Sequence, residues 1–333
     1  MNNNKVVNFL LNAVKSLILP VLVFLVFAFL TNGRTLNSRV VMTVLRQSVM
    51  PILICWALVL NMSLGIMNFA AGGVCLCAVI LAGNFAKLTY TGLGGLLIGC
   101  FVICMVLSFI TGTLYNLMKI PGLVLTIGLV LIFESIPRII FHGGVTIARQ
   151  DTILALSPWC FIVLAVMGAA FYIIYNMTAF GHNLRALGSS PAIANAAGLD
   201  SAKIKLSCFM MSGIFLSMGA VIYGSNQGQV LNVAALGSMV IMMDAFMGVF
   251  LAFFLAKYCN LTIAVVIGNV TMKLINNGFV AMGTSSTVRD ITTGVFLFIL
   301  LAMSANQGIM DRLRARKENA RIANEKYALN LTP

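Results

Sequence analysis

The stretch RALGSSPAIANAAGLDSAKIKLSCFMMSGIFLSMGAVIYGSNQG, residues 185–228, joins a polar block directly to an apolar run. The apolar run, 206–225, has the length of about 20 residues that a helix needs to cross a bilayer. The polar block carries the charged residues Arg185, Asp200, Lys203 and Lys205. At a bilayer centre each of these charges would cost roughly 2.5 to 3.5 kcal/mol. We therefore expect the block to lie in water or against another protein, beside a membrane span.

The composition of the chain extends this pattern to all 333 residues. Charged residues make up 9% and hydrophobic residues 60%, whereas about a quarter of the residues of a soluble domain are charged. The chain is therefore predicted to be an integral membrane protein. The net charge of +13 comes from basic residues in short loops and in the tail. Anchoring at the cytoplasmic face and contact with anionic lipid explain this charge better than nucleic-acid binding.

The apolar runs predict an all-α fold, a polytopic membrane helical bundle of about ten transmembrane segments. The predicted segments are 6–31, 48–63, 65–83, 92–113, 122–140, 158–179, 206–225, 236–256, 259–275 and 291–306. Only Leu64 separates the second segment from the third, which fits a broken helix or a re-entrant pair. Residues 1–306 are thus predicted to form the transmembrane domain, and residues 307–333 a basic cytoplasmic tail.

The distribution of basic residues predicts that both termini are cytoplasmic. The loop 180–205 and the tail then lie inside, with 13 basic residues inside, seven outside and Lys273 within a span, which accounts for all 21. An excess of Lys and Arg on the cytoplasmic side is the usual rule. The segment 32–47 carries three arginines on the outer side. We expect it to be an amphipathic segment at the outer interface, with Val40, Val41, Val44 and Leu45 facing lipid.

The loop 180–205 has the local signals of two short helices. The sequence NLRALG indicates a helical turn closed by Gly188. In SSPAIANAAG, Ser189 or Ser190 can cap a second helix, Pro191 suits its first turn, and Gly198 ends it. Its small face, Ala192, Ala194, Ala196 and Ala197, suits docking into a groove of a partner protein. An ordinary loop between two spans fits the same pattern, and both interpretations stay open at this point.

The stretch 185–228 resembles the cytoplasmic loop and the following span of permease subunits in bacterial ABC importers of the ribose, xylose and galactose type. These sugar permeases are related more distantly to branched-chain amino-acid permeases. The matching positions are Arg185, Ala186, Gly188, Ala196, Ala197, Gly198, Leu199, Ser212 and Gly213. The segments LTIGLVLIFESI at 125–136 and LINNGF at 274–279 resemble two further family segments. Their order and spacing agree over nearly the whole chain.

The resemblance implies that the loop contains the coupling helix, which fits a groove on a separate cytoplasmic ATPase subunit. The residues implied in this coupling are Arg185, Ala186, Gly188, Ala196, Ala197 and Gly198. The chain itself has no G-x-x-x-x-G-K-[ST] phosphate loop. ATP and Mg are therefore expected in the partner subunit, with no cofactor and no catalytic residue in this chain. The resemblance also implies an extracytoplasmic solute-binding protein as a partner and the bacterial inner membrane as the location.

Two departures from the family pattern bear on cargo and assembly. The sugar members commonly carry a Gly-Ile-Asp-Leu-Ser-Val-Gly-Ser segment, whereas this chain reads GIMNFAAGG at 65–73, closer to the Asn-Phe-Ala pattern of branched-chain amino-acid permeases. The double-Gly segment after the eighth span is replaced by MMDAFMGVFLAFFLAKYCN at 242–260. We therefore expect a second, non-identical permease subunit beside this one. A monosaccharide is the expected cargo, and nucleosides or branched-chain amino acids are the alternatives.

Few polar side chains fall within the predicted spans, and these are candidates for a substrate path. The path candidates are Asn61, Asn68, Glu134, Asn276 and Asn277. For the asparagines, interhelical hydrogen bonds explain the pattern equally well. Glu134 is expected to form an i,i+4 salt bridge with Arg138 on a helix, with a path role as the alternative. Asp244 and Lys273 are expected to form a buried pair between neighbouring spans.

Two other classes of protein fit the sequence less well than an importer subunit. An ion-coupled secondary transporter would need intramembrane carboxylates, and only Glu134 and Asp244 are available. A membrane enzyme would need a convergent acid, base or nucleophile set, and no H-E-x-x-H or G-x-S-x-G motif occurs. The eight cysteines lie in apolar runs without a C-x-x-C pair, and the two histidines have no companion at ligand spacing. No metal site is therefore expected.

Overall fold

A computed structural model of the protein describes residues 20–31, 37–118, 120–256 and 258–285, with positions 287–288, 291–292, 294–295 and 298 beyond them. The predicted tail 307–333 lies outside the described residues, as does most of the predicted segment 291–306. One compact unit ends at Gly283 and a second begins at Thr284. The helices and cavities described below belong to the first unit.

The described part of the first unit is almost entirely helical. Its α-helices are α1 Pro20–Leu30, α2 Ser38–Met62, α3 Ala70–Leu88, α4 Gly92–Met118, α5 Gly122–Ile140, α6 Trp159–Tyr172, α7 Ala179–Ser189, α8 Pro191–Ala196, α9 Ser201–Gln227, α10 Met239–Leu255 and α11 Leu261–Ala281. A 3-10 helix, Arg149–Ala155, precedes α6, and a π-helical turn, Ile173–Met177, continues it. Two short antiparallel strands, β1 Val145–Thr146 and β2 Gln229–Val230, pair with each other.

Seven helices of the described residues are long and apolar enough to cross a membrane: α2, α3, α4, α5, α6 with its π-helical turn, α9 and α11. The apolar helices α1 and α10 are shorter. The prediction of a polytopic helical bundle is therefore confirmed, while the number of about ten spans stays a prediction. The expected broken or re-entrant pair is a pair of separate helices, α2 and α3, each of spanning length. Gly65, at φ +73, lies in the turn between them.

Helix α2 begins ten residues earlier than predicted. Asn37 caps it by accepting a hydrogen bond from the backbone N–H of Arg39 at 3.0 Å. The helix then runs without interruption through residues 38–47, and Val44 is buried in the bundle. The prediction of an interfacial segment with Val44 facing lipid is therefore wrong. The prediction fails because α2 begins at the Asn37 cap, so residues 38–47 belong to the same helix as the apolar run that follows them.

Helix α9 is the centre of the bundle and packs against α2, α3 and α4. Its Phe215 joins Phe171 of α6, 5.6 Å away, and Phe171 stacks on Trp56 of α2 at 5.8 Å. Gly213 and Gly219 of α9 face Ser108 and Ile54, where small residues permit close helix contact. Since α8 precedes α9 and β2 follows it, the bundle has an α7–α8 end and an opposite, β1–β2 end.

Candidate translocation cavity and coupling surface

A cavity of about 660 Å³ lies among α2, α9, α10, α11 and the loop 231–238. Its lining is rich in polar side chains, which are Arg46, Gln47, Tyr223, Asn226, Gln227, Ser238, Asp244 and Lys273. The α9 members lie in the last two turns of that helix, so the cavity belongs to the end opposite α7–α8. We refer to it as the polar cavity. A concave site with a few convergent polar groups is typical of small-molecule binding.

The predicted pairing of Asp244 with Lys273 is confirmed. Lys273 Nζ lies 2.5 Å from Asp244 Oδ2 and joins α11 to α10. The pair lies on the wall of the polar cavity, with 18% of the lysine side chain and 39% of the aspartate side chain exposed. It is therefore less buried than the sequence suggested, and both charges face the space that a solute would enter.

Arg46 and Gln47 bring the first half of α2 into the same wall. Arg46 is partly buried, and within the described residues it forms no ion pair. Gln47 Oε1 accepts a hydrogen bond from Asn277 Nδ2 at 3.3 Å. The predicted path residue Asn277 therefore lies directly behind the cavity wall, although it is not part of the lining.

The other asparagines predicted for a path do not line the polar cavity. Asn61 is buried, donates to the Ala57 carbonyl at 3.4 Å and accepts from Cys208 Sγ at 3.4 Å. Asn68 accepts from the backbone N–H of Ala70 at the start of α3. Asn276 Oδ1 is buried without a hydrogen-bond partner in the described part of the chain. The contact with Cys208 is a hydrogen bond between helices α2 and α9, which was the alternative for Asn61, whereas the bond of Asn68 is local and joins no two helices.

Glu134 does not pair with Arg138, so the predicted salt bridge is wrong. The buried carboxylate accepts hydrogen bonds from Leu236 N at 3.1 Å, Ser238 N at 2.8 Å and Ser238 Oγ at 2.6 Å. Arg138 instead donates to the Val233 carbonyl. A buried carboxylate needs donors close by, and the loop before α10 supplies three of them.

The loop held by Glu134 is strained. Ala235 and Leu236 have φ values of +54 and +68, in the left-handed region that disfavours side chains with a Cβ. Such residues persist only where the surrounding structure holds them. Because Val233, Gly237 and Ser238 line the polar cavity, Glu134 fixes the shape of its wall without entering it.

The sequence interpretation missed six polar residues of the cavity. These are Arg46, Gln47, Tyr223, Asn226, Gln227 and Ser238. A signal was present for three of them, because Tyr223, Asn226 and Gln227 follow the i, i+3, i+4 spacing that places residues on one helix face. Arg46 and Gln47 were assigned to the interface because the start of α2 was placed too late.

Helix α7 is fixed to the body of the bundle by its apolar face. Leu184 and Leu187 are buried, and a Cβ at Gly188 would overlap the Ser63 carbonyl oxygen after α2. The helix continues to Ser189, so the prediction that Gly188 closes it is wrong. The glycine is required by the close approach to Ser63. Arg185 lies with its guanidinium 5.2 Å from the centre of the Tyr175 ring.

Helix α8 has the predicted signals. Ser190 Oγ accepts from Ile193 N, Pro191 is in the first turn, and Gly198 has φ +83. Ala194 is buried, but Ile193 is 72% exposed. The remaining surface is formed by exposed residues, among them Arg185, Ala186, Gly188, Ala192, Ala196, Ala197 and Gly198. We call this the α7–α8 surface.

Asp200 ends the α7–α8 segment and begins α9. Its carboxylate accepts from the backbone N–H groups of Ala202 and Lys203 and lies 3.3 Å from Lys203 Nζ. The hydrogen bond from the Lys203 backbone is the chief reason that the pKa of Asp200 is lowered. Asp200 therefore fixes the start of α9 directly after the α7–α8 segment.

Within the described residues no group of three or more His, Cys, Asp or Glu side chains is placed to hold a metal ion.

Most of the chain matches one transport family. The family model "Branched-chain amino acid transport system / permease component" matches residues 40–304. The chain is 26% identical over 253 residues to the autoinducer 2 import system permease protein of Photorhabdus luminescens, covering 73% of this chain and 72% of that protein. No solved structure matches the chain significantly.

Two further relatives are sugar import permeases. The galactose/methyl galactoside import permease protein of Escherichia coli K12 is 22% identical over 221 residues, covering 60% of this chain and 63% of that protein. The fructose import permease protein of Rhizobium meliloti is 22% identical over 227 residues, covering 61% and 60%.

Proposed function

Because the chain belongs to the family of branched-chain amino acid transport system permease components, we propose that it is the membrane permease subunit of an ATP-binding-cassette importer whose cargo is a monosaccharide. The named relatives support this cargo, since they are import permeases for autoinducer 2, for galactose or methyl galactoside, and for fructose. The observation that carries the proposal is the polar cavity inside an otherwise apolar bundle.

The lining of the polar cavity suits a polyhydroxylated solute. The amides of Gln47, Asn226 and Gln227 each offer donors and an acceptor, and the Tyr223 hydroxyl offers both. Sugar hydroxyls need both kinds of partner at short spacing. Nucleosides and amino acids remain the alternatives from the sequence, and no relative named above imports either.

The α7–α8 surface is the proposed coupling site for the ATPase subunit. Its small exposed residues leave Ile193 as a projecting apolar side chain, which suits insertion of the helix into a groove. ATP and Mg are bound by the partner, and this chain contributes no catalytic residue. The α7–α8 end then faces the cytoplasm together with both termini, and the polar cavity faces the extracytoplasmic side of the inner membrane.

The remaining partners follow from this orientation. The solute-binding protein docks at the β1–β2 end, where Tyr90 is 96% exposed beside a smaller cavity of about 360 Å³. A second, non-identical permease completes the pathway, as the sequence departures at 65–73 and 242–260 suggest.

Ion-coupled transport is less well supported. Of the two intramembrane carboxylates, Glu134 is fully occupied by the loop before α10, and Asp244 is paired with Lys273. Coupling to a proton or cation needs a carboxylate that can leave its protein partners and bind the ion. A drive supplied by ATP in another subunit agrees better with both arrangements.

A charge placed on the α7–α8 surface tests the coupling site. We expect Ile193→Glu to weaken co-purification of the ATPase roughly 30-fold, because a central apolar contact at an interface contributes about 2 kcal/mol or more. Ile153→Glu is the matched control, since Ile153 is 42% exposed in the 3-10 helix on the far side of the bundle. Equal recovery of the ATPase with both variants would contradict the coupling assignment.

A further inference from the structure

Among the described residues, the charges of the ionisable side chains that line the polar cavity do not balance. They are Arg46, Tyr223, Asp244 and Lys273. Asp244 and Lys273 pair with each other, which leaves the charge of Arg46. Behind the loop 231–238, the carboxylate of Glu134 accepts three hydrogen bonds and Arg138 donates to the Val233 carbonyl, and the opposite charges of these two residues offset each other. The lining formed by the described residues therefore has a net positive charge, that of Arg46.

Arg46 carries that charge well inside the bundle. It is the ninth residue of α2, about 12 Å along the helix axis from Ser38 at 1.5 Å per residue. A charged side chain at this depth is expensive and normally has a partner. Within the described residues Arg46 has no anionic partner, so its guanidinium is available to a solute in the cavity.

We propose that the polar cavity selects solutes that carry an acidic oxygen group, a carboxylate or a phosphate, and that Arg46 is the residue that determines this selectivity. The planar guanidinium presents a fork of N–H donors that matches both groups bidentately. The amides of Asn226 and Gln227 and the amide nitrogen of Gln47 can then bind hydroxyls, while Gln47 Oε1 accepts from Asn277. The solute class is a sugar acid or a sugar phosphate, and this naming of a sugar rests on the proposed function.

Charged thiol reagents measure the selectivity directly. Met50 lines the cavity one turn beyond Arg46 on α2, so Met50→Cys places a reporter beside the guanidinium. The native cysteines are buried apart from the half-buried Cys259, and the unsubstituted chain gives the background. In the purified full chain in neutral detergent, we expect a sulfonate-bearing methanethiosulfonate to react about tenfold faster than its trimethylammonium analogue, relative to their rates with a free thiol.

Matched variants assign this preference to one residue. Adding Arg46→Gln to Met50→Cys should remove the tenfold preference, and Arg46→Lys should keep most of it. Arg39→Gln is the control, because Arg39 lies two turns nearer the helix start, is exposed and is not part of the lining. Equal rates for the two reagents, or the same preference with and without Arg46, would overturn the proposal.

Protection of the same cysteine identifies the acidic group. D-Glucuronate and D-glucose 6-phosphate are compared with D-glucose as blockers of Met50→Cys labelling. Protection by either acid at a concentration at least tenfold below that of glucose supports the proposal and distinguishes carboxylate from phosphate. Protection by glucose at the same concentration, or no protection by either acid, would overturn it.

This test does not depend on transport, because labelling needs no ATPase. If the chain shows the charge preference but fails ATP-driven uptake, the proposed function is contradicted and the proposed selectivity is supported. If it takes up neutral sugars and shows no charge preference, the selectivity is contradicted and the proposed function is supported.

Discussion

At the scale of the residue, Glu134 shows how a buried charge is used in this bundle. A sequence places a carboxylate four residues before an arginine and predicts a local ion pair. In the structure the carboxylate instead accepts hydrogen bonds from Leu236 and Ser238, which lie about 100 positions later in the chain. The partner of a buried group is decided by which donors the fold brings near, because leaving a buried carboxylate without donors is costly.

Replacing Glu134 by Gln tests that assignment. The amide nitrogen of Gln would face donors rather than acceptors, so we expect a loss of about 1 to 3 kcal/mol in the free energy of unfolding. Thermal unfolding of the purified chain in detergent measures it. Arg138→Gln is the control and should change stability by less than about 0.5 kcal/mol, as surface substitutions usually do. Equal losses of stability for both variants would contradict this assignment and would instead indicate an ion pair between Glu134 and Arg138.

Asp244 and Lys273 show the opposite outcome. Sequence reasoning predicted this pair correctly from two charges in neighbouring apolar segments, because charges within a membrane are expected to find each other. It did not predict that the pair lies on a cavity wall. That position depends on the loop 231–238, which leaves space for the cavity next to the start of α10. No periodicity in the sequence predicts the path of this loop.

A double-mutant cycle on this pair measures the link between α10 and α11. Asp244→Asn and Lys273→Met should each destabilise the chain, since each leaves one charge unpaired, and the double variant should lose less than the sum. We expect a coupling energy of about 1 kcal/mol or more from denaturant unfolding in detergent. Strict additivity would show that the contact contributes nothing.

At the scale of the element, α7 and α8 show which features of a helix the neighbouring sequence can predict. The cap at Ser190, the proline in the first turn and the glycine after α8 were all predicted, because they depend on neighbouring residues alone. The length of α7 was not predicted. A glycine near the end of a helical pattern indicates a stop, but at Gly188 it serves a contact with Ser63, about 125 positions away.

Gly188→Ala tests whether that contact sets the position of α7. The added methyl group overlaps the Ser63 carbonyl, so α7 must shift, and we expect a loss of about 1 to 3 kcal/mol in stability with weakened ATPase binding. Gly128→Ala is the matched control, because a Cβ at this helical glycine of α5 meets nothing within 4 Å. It should be neutral or slightly stabilising. A neutral Gly188→Ala would contradict the close packing.

At the scale of the whole molecule, the class of fold followed from the sequence and the internal geometry did not. Apolar runs of bilayer length predict a helical bundle because lipid forces backbone groups to pair within each segment. The start of α2 was placed ten residues too late, since Arg39 and Arg46 break its apolar run. The polar cavity stayed hidden for the same reason, because its most informative side chain, Arg46, had been assigned to an interface.

ATP-driven uptake into proteoliposomes tests the central claim most directly. The chain is reconstituted with the proposed partners, an ATPase, a second permease and a solute-binding protein, and accumulation of labelled sugar is measured with and without ATP. We expect accumulation that requires ATP, resists a protonophore, and is lost with Ile193→Glu, while the apolar replacement Ile193→Leu behaves as the unsubstituted chain. Accumulation without ATP that a protonophore abolishes would contradict the account.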